Sequence, residues 1–332
     1  MTLSGKVMVT GGAGYIGSHA VLALLDAGYR VVVIDNLVTG FEWAVDRRAD
    51  FVNIAVEDAG VRDVIRDHDV QAIMHFAGSV VVPESVQNPL KYYRNNTAAT
   101  RALIESAAEN GVKHFIFSST AATYGNPTKV PITENDPQLP INPYGMSKLM
   151  TEAMLRDVAA AHPINYGALR YFNVAGADPQ QRSGQSTVGA THLIKIAVEA
   201  ATGKRAAVGV FGTDFATRDG TGVRDYIHVS DLADAHVAAL AKLIEAPSDS
   251  FTFNCGYGRG FSVLEVLDAV DRVTNMTIER RIEGRRAGDP AELVADNSAI
   301  LAALDWTPKR AELDGIVRDA LAWERKLAEL GK

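Results

Sequence analysis

Short apolar runs separated by amphipathic stretches are the dominant pattern along the first half of the chain. Residues 6–10, 31–34, 72–78, 114–119 and 166–173 are near-continuous apolar runs of strand length, most of them ending in a glycine or a polar residue. Strands buried on both faces read this way, because helices must cover both sides of a parallel sheet. Between them lie stretches of helical spacing: residues 18–27, with Val21, Leu22, Leu24 and Leu25; a polar stretch from about 89 to 110; and residues 144–160. The alternation predicts an α/β fold with a doubly wound parallel sheet.

After Asn173 the texture changes. Residues 176–190 hold Gly, Asp, Pro, Gln, Arg and Ser with little periodicity and read as a mobile loop opening a second, smaller unit. Helical spacing resumes over 191–202, and 212–225 is polar and Gly-rich. Residues 226–229 and the amphipathic 231–245, capped by Ser230 or Asp231, return to the first unit. Residues 251–254 read as the last strand, 263–273 as a helix, and 282–293 as a charged segment with Arg281, Arg285 and Arg286 close by. The expected division is 1–175 plus about 226–256 for the first domain, and 176–225 with 257–332 for a smaller mixed α/β domain.

Chemistry enters at the first turn. Gly11, Gly14 and Gly17 interrupt the passage from the first strand into the first helix. Glycines at that spacing allow a sharp turn, close approach of a pyrophosphate to backbone N–H groups, and tight helix–strand packing. Asp35, eighteen residues beyond Gly17, ends the second strand, where a carboxylate accepts from both ribose hydroxyls of an adenosine and repels a 2′-phosphate. The unit is therefore expected to be of Rossmann type and to take NAD. Residues 76–78 and 118–120 fall at the carboxyl ends of further strands, so they should line the same crevice.

Tyr144 and Lys148 stand one helical turn apart on a common face. An ammonium held near a phenol should favour the phenolate and lower its pKa from about 10, which suits a general base. Such a pair alone is a weak signal; joined to the glycine turn and Asp35 it reads as a proton-transfer device beside a nicotinamide cofactor.

Charge and composition exclude other classes. The net charge is −7 and the Lys and Arg residues are scattered, so nothing recruits nucleic acid or an anionic membrane. No apolar run is long enough to cross a bilayer. Cys255 is the only cysteine, and the histidines lack HxxxH or HExxH spacing, so no disulfide and no metal site are expected, and the chain fits a cytoplasmic protein.

The markers 10–18 (TGGAGYIGS), 35–37 (DNL), 75–78 (HFAG), 117–125 (FSSTAATYG), 143–148 (PYGMSK), 169–173 (LRYFN) and 219–229 (DGTGVRDYIHV) together resemble the extended short-chain dehydrogenase/reductases. The last two are specific enough that the chain resembles the UDP-glucose 4-epimerase family of nucleotide-sugar epimerases over nearly its whole length. That resemblance implies Thr120 as the hydroxyl on the reacting oxygen, Tyr144 as the base, and Lys148 as the residue that holds the nicotinamide ribose. It implies a cofactor site of Gly11, Gly12, Gly14, Tyr15, Ile16, Gly17, Asp35, Asn36, Leu37, Phe76, Ala77, Gly78, Asn95, Ser118 and Phe172 with Tyr144 and Lys148. For a UDP-hexose it implies Ser79, Thr120, Tyr144, Asn173, His192, Leu193, Phe211, Arg224, Arg286 and Asp289, Arg286 being suited to a diphosphate by its planar guanidinium. It also implies a tightly held, regenerated NAD and a homodimer.

Three positions depart from the family pattern. Ala55 lies where a carboxylate is usual beside the adenine amino group, Val80 where some members carry a basic residue near the nicotinamide, and Leu293 where others carry a Tyr or a small residue at the sugar. Thr120 is followed by Ala121-Ala122 and not by the Asp-Glu pair a 4,6-dehydratase needs. An NADP-dependent carbonyl reductase would favour Arg in place of Asp35, and an NAD-sensing protein without activity would be expected to lose Tyr144 or Lys148. Other UDP-sugars, N-acetylated or pentose, stay open as substrates.

Overall fold

A computed structural model describes residues 3–286 and 289–332. The first half runs β1 (Lys6–Thr10), α1 (Tyr15–Asp26), β2 (Val31–Asp35), β3 (Asp50–Asn53), α2 (Val61–Asp67), β4 (Val70–His75), α3 (Val82–Gln87), α4 (Pro89–Tyr92), α5 (Ala99–Glu109), β5 (His114–Thr120), α6 (Pro143–Ala161) and β6 (Asn165–Tyr171). The rest runs β7 (Asn173–Ala175), α7 (Leu193–Ala201), β8 (Val208–Phe211), β9 (Val223–His228), α8 (Val229–Glu245), β10 (Phe251–Cys255), β11 (Gly260–Ser262), α9 (Val263–Thr274), β12 (Arg280–Glu283), β13 (Glu292–Leu293), α10 (Ser298–Ala303) and α11 (Leu313–Glu329).

Seven strands form one parallel sheet in the order β10-β6-β5-β4-β1-β2-β3. The expected α/β fold of Rossmann type is the one observed. Met8, Val32, Ile73, Phe115 and Leu103 pack on one face with α2, α5 and α6, while Val7, Val33, Met74, Leu232 and Leu240 pack on the other with α1 and α8. Strand order reverses between β1 and β4, which leaves a crevice at their carboxyl ends. A four-stranded sheet of β7, β9, β11 and β13 and a two-stranded sheet of β8 and β12 lie beyond it, packed on α7, α9 and α11.

Several expectations are corrected. The helix read over 89–110 is opened by a π-helical stretch, Tyr93–Ala98, between α4 and α5. The strand Val223–His228 pairs in the four-stranded sheet, and the return to the large sheet is made by α8. The cap of α8 is neither Ser230 nor Asp231: the His228 imidazole accepts from the Ser230 N–H at 3.0 Å. Residues 251–255 are an edge strand of the large sheet but not the last strand, because β11, β12 and β13 follow. Those three are two to four residues long and mostly half-buried or exposed, too short for a readable period.

Candidate active site

Crossing from β1 into α1, the chain turns on Gly11, whose φ of +69° favours glycine. Gly17 lies so close to this turn that a Cβ there would come within 2.1 Å of the Gly11 carbonyl oxygen. The N-terminus of α1 has no side-chain cap, so its first N–H groups are free for an anionic ligand. Asp35 ends β2 facing this turn, and its carboxylate accepts from Ala13 N at 3.0 Å and Leu37 N at 2.8 Å.

The opposite wall is built by β4, β5 and α6. His75, wholly buried, bridges Thr10 Oγ1 at 2.6 Å and Thr100 Oγ1 at 2.7 Å, and burial pushes its pKa down to about 3. Past β4, Asn96 accepts from Ser79 N at 2.7 Å and donates to Ser79 O at 2.9 Å and Ser147 Oγ at 3.1 Å. It thereby ties the Gly78–Ser79 turn to α6. Asn95 donates to Ser79 Oγ at 3.0 Å.

Asn142 caps α6 by accepting from Gly145 N at 2.8 Å, with Pro143 in the first turn. Gly145 lets that turn lie against the loop after β5, since a Cβ there would sit 2.4 Å from Ala122 O. Tyr144 is thus brought near Thr120, whose hydroxyl accepts from Ala122 N at 3.1 Å. One turn on, the Lys148 ammonium donates to Ser118 O at 2.9 Å and lies 4.9 Å from the Phe117 ring centroid. Both side chains are buried.

Burial changes the electrostatics expected from the sequence. Burial holds the Tyr144 phenol above its ordinary pKa, and the nearby Thr120 hydroxyl only partly offsets it. The expected lowering by Lys148 is therefore overturned: stripping water from a phenolate outweighs the nearby dipoles. Lys148 itself is pushed down to about 8 by burial, with Glu152 one turn further on favouring the charged form.

The smaller lobe contributes a second group. Asn173 starts β7 beside Tyr226 of β9. Arg224, on β9, is half-buried, donates to Val223 O at 2.8 Å, and feels Asp289 and Glu292; desolvation lowers its pKa. Arg286 lies 3.6 Å over the Phe211 ring, and Asp289 N donates to Arg286 O at 3.4 Å. The structure therefore brings Phe211, Arg224, Arg286 and Asp289 into one neighbourhood. Leu293, with Phe172, packs on Ala121, Tyr124 and Ile132 immediately after Thr120.

His192 is placed differently. Its ring meets the Gln185 amide at 2.6 Å and lines an interior cavity of about 20 Å³ with Lys195 and Glu324, and burial lowers its pKa. That side chain is engaged in joining α7 to the 176–190 loop. The loop, expected to be mobile, is pinned by Tyr15 OH on Gly176 O at 2.8 Å, by Ser18 with Ser183 at 2.7 Å, and by Lys326 on Gln181 O at 2.7 Å.

The model of the NAD dependent epimerase/dehydratase family matches residues 7–256. The chain belongs to this family. It is 54% identical to a UDP-glucose 4-epimerase of Azospirillum brasilense over 327 residues, 98% of this chain and 94% of that one. Among solved structures it is similar to UDP-glucose 4-epimerase from Brucella ovis in complex with NAD, with 43% identity, a TM-score of 0.93, and 96% and 98% of the two chains covered. It is likewise similar to the Stenotrophomonas maltophila enzyme with bound NAD and formylated UDP-arabinopyranose, at 38% identity, TM-score 0.94, and coverage of 98% and 99%.

The dinucleotide the family's name implies fits the residues present. The α1 N-terminus is uncapped, Asp35 stands at the end of the next strand, and the buried Lys148 ammonium meets only the Ser118 carbonyl among hydrogen-bond partners in the described residues. A three-donor group in that state calls for a further polar partner. Of this family member's site, sequence reading missed Asn96, His75 and Tyr171, whose OH bonds the Ser118 hydroxyl. The repeated Asn95-Asn96 offers no signal for which residue turns inward, because the π stretch decides it.

Proposed function

We propose that the chain catalyses the NAD-dependent interconversion of UDP-glucose and UDP-galactose at C4. The observation that carries this reading is the buried set Thr120, Tyr144 and Lys148 at the end of β5, in the same crevice as the uncapped α1 N-terminus. Bound NAD supplies a hydride acceptor and donor for C4. Tyr144 takes the 4-OH proton and later returns it to the 4-keto sugar, while Thr120 hydrogen-bonds the reacting oxygen and fixes the phenol. Lys148 holds the nicotinamide ribose, and the Gly11–Gly17 turn takes the pyrophosphate, with Gly12, Tyr15 and Ile16 beside it.

In the same reading Asp35, Asn36 and Leu37 hold the adenosine side, and Phe76, Ala77, Gly78, Asn95, Ser118 and Phe172 line the cofactor. Asn173, Arg224, Arg286, Asp289, Phe211 and Leu193 hold the UDP, and Ser79 faces the sugar. Epimerisation requires the 4-keto sugar to present both faces to the cofactor, so UDP is held firmly and the hexose loosely. The cofactor domain is built on the seven-stranded sheet, residues 1–172 with α8 and β10, and the nucleotide-sugar domain on the smaller sheets that hold β7, β8, β9 and β11 to β13. A homodimer through α6 and a helix beside it, with a scattering mass near twice 35.6 kDa, and a cytoplasmic location complete the reading. No helix among the described residues is long and apolar enough to cross a membrane.

The test is a proton NMR time course of the purified chain with UDP-glucose and no added NAD. UDP-galactose anomeric signals rising to a constant ratio support the reading. If nothing forms even with NAD added, the UDP-glucose assignment fails.

A further inference from the structure

The loop after β2 and the 176–190 loop approach the α1 N-terminus from two sides and meet on one side chain of α11. Phe41 N donates to Ala13 O at 3.0 Å, and Gly40 packs so tightly there that a Cβ would stand 2.9 Å from Ala13. Phe41 stacks on Trp43 with centroids 5.2 Å apart, and Trp43 stacks on Trp323 at 6.4 Å and 26°. Trp323, only 3% exposed, underlies the second loop: its Nε1 donates to Ser186 Oγ at 3.2 Å, and a Cβ on Gly184 would come 2.3 Å from the indole. Lys332 Nζ lies 3.7 Å from the Trp43 ring centre. Ala13, Gly14, Tyr15, Phe41, Gly184 and Ser186 line the small cavity enclosed between the loops.

The loop after β2 has little regular structure of its own, one 3-10 turn over Glu42–Ala44 with no buried residue. Segments with so few buried contacts open at low cost unless something distant holds them. Here the distant anchor is firm, because the buried carboxylate of Glu324, next to Trp323, pairs in the interior with Lys195 of α7 and at its rim with Lys204 at 2.8 Å. Aromatic stacking and the cation over the outer ring give the contact direction as well as area.

We propose that Trp43 and Trp323 are positioning residues that latch the loop after β2 over the cofactor turn and so govern how long NAD stays bound. This rests on the NAD reading above. Retention matters to such an enzyme because the same cofactor must serve both half-reactions.

The experiment compares the whole chain with Trp43→Ala and Trp43→Phe, measuring NAD per chain after purification and the rate of NAD release into a cofactor-scavenging trap. Trp43 is 39% exposed, so its replacement leaves the core intact. The expected result is release about tenfold faster in Trp43→Ala, equivalent to about 1.4 kcal/mol. Trp43→Phe should stay near the unmodified rate, and the UDP-glucose KM in excess NAD and the unfolding midpoint of the NAD-free chain should not move. Unchanged NAD content and release in Trp43→Ala overturn the latch alone. A faster release matched by a fall in the NAD-free midpoint and not rescued by Phe also overturns it, as general destabilisation. Failure of the unmodified chain to bind NAD overturns the cofactor reading and the latch with it.

Discussion

Thr120, which ends β5, stands next to Tyr144 in the first turn of α6, and its hydroxyl partly offsets the burial that holds the Tyr144 phenol above its ordinary pKa. Removing the hydroxyl with Thr120→Val should raise that pKa further. The low-pH limb of the kcat/KM profile should then move to higher pH, with turnover at neutral pH falling about tenfold or more. An unshifted profile would disconnect Thr120 from the base.

Replacing Tyr144 by Phe removes the only proton acceptor proposed for the 4-OH while leaving the ring that packs edge-on against Tyr92 at 6.4 Å. Turnover should drop about 10²–10⁴-fold, with NAD content and UDP affinity retained by equilibrium dialysis. Near-normal turnover would sink the assignment.

Lys148→Ala deletes a buried ammonium tied to Ser118 O at 2.9 Å. Purified variant should carry less NAD per chain and regain part of its occupancy in millimolar cofactor. Equal cofactor content by release assay would argue against a ribose contact.

Leu293 packs on Ala121 and Tyr124 beside the proposed sugar position. Leu293→Ala opens space there and should raise the kcat/KM ratio of UDP-N-acetylglucosamine to UDP-glucose by about tenfold. If both substrates respond alike, Leu293 does not border the sugar.

His19, His75 and His236 are buried, and burial holds them down to about 4, 3 and 4 respectively. Their folded pKa values lie below the unfolded value of about 6.5, so the unfolded chain binds protons first as pH falls. Stability should be full above pH ~6.5 and decline toward pH ~4, at about 1.4 kcal/mol per pH unit for each histidine still neutral in the fold. Denaturant midpoints at pH 7.5, 6 and 5 measure this; a flat series would mean these histidines protonate without loss of the fold.

Much of the site is legible along the chain because each signal is local. The glycine turn, Asp35 at the end of its strand, and the helical spacing of Tyr144 and Lys148 need only neighbours in sequence, and the apolar runs mark five of the seven parallel strands well enough to place their ends in one crevice. Asn96 was not legible, since a π-helical stretch turned it inward, nor were β11 to β13, which are too short to carry a period.

By itself the sequence determined the alternation of strand and helix, the glycine turn after β1 and the spacing of the Tyr–Lys pair, because periodicity and backbone preference are properties of adjacent residues. Only the tertiary structure decided that Tyr144 is raised and not lowered, that His192 turns to Gln185, and that Trp43 rests on Trp323. Hydration and stacking depend on which groups, remote along the chain, arrive to exclude water, and no local pattern carries that information.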